Sequence, residues 1–256
     1  MHSAGSRLAL TLGLYVAWVT TTVLGCVLAA GAHHPLTALV SHRIGWSFVA
    51  AVALLLAALL LFRWHDVGLE RLPTLHSLRV MWLPALYLLT FATLSVMLGL
   101  PPISVVAFVF INTALVGLSE ELMFRGILFQ GLLSRFSIWP AIWITSVLFG
   151  AVHVLNVFIT GELTSAMIQA VAAFMSGVGF MAIRIRTASL YPAILFHALW
   201  DFFIFLISQS PRSAALDAPS SPGGAAELLL PMLLVLPAFL YGLFLLRKVG
   251  RSPIPL

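Results

Sequence analysis

Charge is what this 256-residue chain has least of: Asp, Glu, Lys and Arg together make up 8% of it. Soluble domains carry about 25%, and 13 basic plus 8 acidic side chains cannot cover a soluble fold of this size. The shortage excludes an ordinary cytosolic enzyme. The basic residues form no dense patch, which excludes a nucleic-acid-binding domain in spite of the +5 net charge. A hydrophobic content of 61% excludes a disordered chain. Lysine is nearly missing, one residue against twelve arginines, a usage that points to a GC-rich bacterial source. Cys26 stands alone, so no internal disulfide can form and redox chemistry says nothing of the compartment. There is no repeat of fixed period and no His-Glu-x-x-His zinc signature.

What the chain does have is apolar runs. Eight are expected to be helices, at about 8–30, 44–62, 80–98, 103–133, 138–158, 164–183, 189–208 and 228–247. Each is near the ~20 residues that cross a bilayer core. Only helices satisfy their backbone in lipid without closing a barrel, so the expected fold is all-α, a polytopic transmembrane helical bundle of about eight spans. The fourth run is long enough to be tilted, to extend past the membrane or to be broken. The first run, with Arg7 before it and Ala30-Gly31-Ala32 after it, has a signal-peptide outline, but its length favours a retained helix.

Loop charges test this count. The N-terminus and every second loop carry Arg7, Arg63, Arg71, Arg79, Arg135, Arg184, Arg186, Arg247, Lys248 and Arg251; the other side carries only Arg43 and Arg212. This bias predicts both termini in the cytoplasm. Residues 63–79 mix charge with Leu and Trp and are expected along the cytoplasmic interface, whereas 209–227 read as a flexible external loop rich in Pro, Ser, Gly and Ala. The chain is thus expected to be a single membrane domain, 1–256. Residues 1–102 form N-terminal helices, 103–208 carry the polar motifs, and 209–256 are an external loop with the last helix.

Ionisable residues inside spans are costly and mark functional sites. The fourth segment holds Glu120, Glu121 and Arg125, the fifth His153, and the seventh His197 and Asp201. Counted from the Arg-rich ends at ~1.5 Å per residue, Glu120 lies ~20 Å deep, His153 ~22 Å, His197 ~12 Å and Asp201 ~18 Å. Three helices therefore place polar groups in one slab. Glu121 and Arg125 are four apart with the acid first, the favourable order for a pair, and Glu120 faces elsewhere by ~100°. His197 and Asp201 are also four apart. Taken singly, each has a plainer reading: a structural ion pair, a helix–helix hydrogen bond, or a metal half-site or proton relay. Their shared depth favours one buried site, active or transporting.

The stretches that carry these residues are SEELMFRGILFQGLL (119–133), SVLFGAVHVLN (146–156) and RTASLYPAILFHALWD (186–201). Together they resemble the CPBP family, the CAAX-protease and bacteriocin-processing membrane proteins also called Abi. The matching pattern is Glu120-Glu121-x-x-x-Arg125, Phe149-x-x-x-His153 and His197-x-x-x-Asp201. The resemblance implies a bacterial intramembrane endopeptidase acting on a membrane-associated protein or peptide, with the bilayer as its other partner and no nucleic acid. It further implies a glutamate-type mechanism without cofactor, the alternative being one divalent metal such as zinc, as in the family's older metalloprotease label. Glu120 would be the base that activates water, and His153 would hold that water. His197 with Asp201 would face the oxyanion, supported by Glu121 and Arg125. Asp201 departs from the Asn of the prenyl proteases: it is protonated, orients His197, or ligates a metal. A proton-coupled transporter or a non-catalytic immunity or scaffold protein of the same fold are the competing readings.

Overall fold

The computed structural model describes residues 4–31, 34–216 and 225–250, and among these every regular element is helical. Each expected apolar run is a helix: α1 (Gly5–Ala29), α2 (Trp46–Phe62), α3 (Ser77–Leu98), α4 (Ile103–Leu133), α5 (Ile138–Thr160), α6 (Leu163–Thr187), α7 (Tyr191–Ser208) and α8 (Leu229–Leu246). Seven are long and apolar enough to cross a membrane, and α2, with 17 residues, is the short one. At ~1.5 Å per residue α2 is ~25 Å long, a little under the ~30 Å hydrocarbon core. The chain is a multi-pass membrane protein.

α6 is the centre of the bundle, packed along α5 on one side and α8 on the other, while α7 packs against α4 and α3. α4 is neither broken nor ordinary. It runs 31 residues and widens to a π-helical segment at Leu122–Leu128. α1 widens too, at Thr20–Leu24, where the hydroxyls of Thr20, Thr21 and Thr22 donate to carbonyls four residues back, a competition with the helical ladder that bends helices.

Three expectations change. Residues 63–79 do not simply lie on an interface. Trp64 and Val67 are buried in the main core while Leu72 and Leu75 are exposed, and the Leu190 amide and the Tyr191 hydroxyl donate to the carbonyls of Gly68 and Leu69. Arg184 and Arg186 belong to the last turn of α6 rather than to a loop, where cations complement the helix dipole, and Arg184 is fully buried. The 209–227 stretch starts as a helix, Pro211–Leu216, with Ser210 Oγ accepting from the Ser213 amide at 3.1 Å. Ser at the cap and Pro at the first helical position are the signals for such a start. Residues 217–224, like Arg251, lie outside the described residues.

Candidate active site

Small residues bring the polar helices together. Gly117, three before Glu120, faces Ala198, next to His197: a Cβ on Gly117 would lie 2.9 Å from the Ala198 amide nitrogen. α4 and α7 thus meet backbone to backbone at the level of the glutamates, as small residues allow in membrane bundles. Gly150 does the same for α5 and α6, its Cβ position falling 2.7 Å from the Ala170 carbonyl oxygen.

Directly after the two glutamates α4 widens, and all seven residues of the π-helical turn are buried. Such turns are frequent at functional sites. Glu121 and Arg125 are both 0% exposed. Arg125 Nη1 donates to Glu121 Oε1 at 2.8 Å, and Nη2 donates to the Gly177 carbonyl of α6 at 3.3 Å. The guanidinium lies 4.0 Å from the Phe149 ring centre and 5.0 Å from that of Phe180, so two aromatic rings flank the cation, while its Nε has no hydrogen-bond partner. The same Glu121 Oε1 accepts from His197 Nδ1 at 2.8 Å. Glu121 is therefore more than half of an ion pair: it bridges Arg125 and His197 across two helices.

Four of the six sequence-derived residues, Glu120, His153, His197 and Asp201, line a cavity of about 1000 Å³. Glu121 and Arg125 stand behind them. His197 Nε2 points toward both remaining carboxylates, 3.7 Å from Glu120 Oε2 and 3.6 Å from Asp201 Oδ2. Glu120 Oε2 is buried and has no hydrogen-bond partner. His153 Nδ1 donates to the Phe149 carbonyl at 2.7 Å. A carbonyl can only accept, so the proton is on Nδ1, and in the neutral ring Nε2 is left as an acceptor. His153 joins the other groups through Phe149, whose ring it meets edge-on at 5.0 Å and which lies 6.0 Å from the His197 ring.

Two cavity-lining features carried no signal in the motif spacing. Phe180 of α6 stacks flat on His197, with ring centres 4.8 Å apart and planes at 23°. Asn156 Nδ2 donates to Gln169 Oε1 at 2.7 Å, joining α5 to α6 within the same cavity; two amides inside apolar runs were the clue. Among the described residues no three His, Cys, Asp or Glu side chains are arranged to hold a metal ion.

Residues 102–203, about two fifths of the chain and including all six polar residues, match the family model described as Rce1-like, type II CAAX prenyl endopeptidase. No curated protein and no solved structure matches the chain.

Proposed function

We propose, on the similarity of residues 102–203 to the Rce1-like CAAX prenyl endopeptidase family, an intramembrane endopeptidase that hydrolyses a peptide bond of a membrane-associated substrate with water activated by Glu120. The observation that carries this reading is the division of labour between adjacent carboxylates. Glu121 Oε1 is committed to Arg125 and His197 and Glu121 does not line the cavity, whereas Glu120 lines it and has no such partner; one oxygen of each, Oε2, is without a hydrogen bond. A carboxylate free to take a proton is what water activation needs.

In this mechanism Glu120 removes a proton from a water held by His153 Nε2, and the hydroxide adds to the scissile carbonyl carbon. The carbonyl oxygen takes up negative charge, and His197 Nε2–H, available when the ring is doubly protonated, donates to it together with the acid form of Asp201. Collapse of the tetrahedral intermediate breaks the C–N bond, and the proton carried by Glu120 passes to the leaving amine. Arg125 acts through Glu121 by fixing the carboxylate that orients His197.

The test is a comparison of protein C-termini in membranes from cells making the wild type or Glu120→Gln. New C-termini present with the wild type and missing with the variant support the reading; identical sets reject it. Purified wild type that loses cleavage on chelation and regains it with a divalent cation would reject the metal-free route while keeping the protease.

A further inference from the structure

α6 contributes no ionisable group to the site, yet its residue Phe180 touches more of the buried machinery than any spacing suggests. The ring is 4% exposed and lines the cavity. It stacks on the His197 imidazole at 4.8 Å and 23° and lies 5.0 Å from the Arg125 guanidinium. These are the two groups that Glu121 joins through one oxygen. Phe180 is itself held by Phe196 at 5.7 Å and by an edge-on contact with Phe149 at 6.4 Å. Each remaining constraint on His197 leaves one motion free. The bond to Glu121 fixes Nδ1 but leaves the ring plane able to swing about that bond. Phe149 meets the ring edge-on at 6.0 Å and 86° and does not oppose the swing. A flat aromatic face does oppose it.

Resting on the protease reading above, we infer that Phe180 is a positioning residue: its ring fixes the plane of His197, so that Nε2 stays aimed between Glu120 and Asp201. The same ring lines the cavity beside His197, whereas Arg125, which it also adjoins, and Glu121 do not line it. Water reaching Glu121 would compete for the oxygen that orients His197. A shift of about 1 Å in a catalytic group costs on the order of 100-fold in rate, so loss of the ring acts on turnover rather than on substrate binding.

The experiment uses full-length Phe180→Leu and Phe180→Tyr in detergent micelles, with side-chain 15N-histidine NMR and steady-state kinetics. His197 signals are assigned by their loss in His197→Gln. In wild type the His197 Nδ1 carries a slowly exchanging proton. In Phe180→Leu that signal broadens or shifts toward solvent-averaged values, kcat falls about 10- to 100-fold, KM stays within about 2-fold, and the unfolding midpoint moves by no more than about 5 °C. Phe180→Tyr, which keeps the ring, restores both the signal and kcat. If Phe180→Leu does not fold, Phe180→Met is read in its place. An unchanged His197 signal in the ring-less variant overturns the inference whatever the activity does. A signal that moves in Phe180→Leu, beside a wild type that cleaves no substrate, upholds the positioning while rejecting the protease.

Discussion

At the scale of single residues, adjacent glutamates separate chemistry from architecture. Glu120→Gln removes the base and leaves its surroundings almost the same size and shape. Cleavage should fall by about 10²–10⁴-fold with an unfolding midpoint close to wild type. Arg125→Ala does the opposite kind of damage. It strands Glu121 in a site with 0% exposure, and breaking a buried pair costs roughly 3–5 kcal/mol, so yield and thermal stability in detergent should fall along with activity. An Arg125→Ala protein that melts like wild type would mean the pair is not buried in solution. Asp201 supplies the third residue-scale prediction. With Oδ2 3.6 Å from His197 Nε2, its acid form and an amide present the same donor. Asp201→Asn should keep substantial turnover, while Asp201→Ala should lose about 10²–10³-fold, the size of one oxyanion donor. If Asn is as inactive as Ala and the wild type is sensitive to chelator, Asp201 is a ligand and not a donor.

At the scale of elements, the close approach of α4 and α7 holds the site to its geometry. Gly117→Val would force side-chain atoms into a space where even a Cβ falls 2.9 Å from the Ala198 amide nitrogen. Overpacking of this kind costs about 1–3 kcal/mol. Here it should also separate Glu120 from His197, so activity should drop further than the melting temperature alone accounts for; equal losses at Gly117→Val and at a remote packing site would argue against it. Contacts within one helix were legible beforehand: Glu121 with Arg125, and His197 beside Asp201, follow from i,i+4 spacing. Depth was legible as well, because a bilayer fixes the axial coordinate of every span. Azimuth was not. Which face α7 turns to α4 depends on small residues at Gly117 and Ala198, and no spacing rule says that Glu121 reaches His197 or that α6 lays Phe180 over both. The π-helical turn was equally hidden, since neither Arg125 nor Gly126 in LMFRGIL signals i→i+5 bonding by its identity or spacing.

At the scale of the whole molecule, the apolar runs read from composition reappear as helices because lipid leaves the backbone no other partner. The ends of those helices were less legible. α6 continues four residues past its expected end, carrying Arg184 into the protein, because the folded 63–79 segment covers ground that hydropathy assigns to water. Orientation remains a proposal that rests on the skew of Arg and Lys between the two sides, and it is directly measurable. With the buried Cys26 changed to Ser, a cysteine at exposed His76 should react with an impermeant maleimide only in inverted vesicles, and one at exposed Glu162 only in intact cells. The reverse pattern would turn the molecule over and place the termini outside.

The widened turn of α4 also has a consequence for insertions and deletions. A π-helical turn closes i→i+5 rings, so it holds extra chain relative to an α-helix covering the same path. Removing one residue from 122–128 lets the ladder relax to i→i+4 along the same path, so the helix beyond keeps its register while residues inside the turn, Arg125 among them, change their facing relative to the glutamates. Residues 134–137, between α4 and α5, offer a place where one residue more or less leaves both helices in register. In any comparison of relatives, a one-residue gap just after the paired glutamates is therefore a change of active-site geometry, whereas a gap after Leu133 is only a change of loop length.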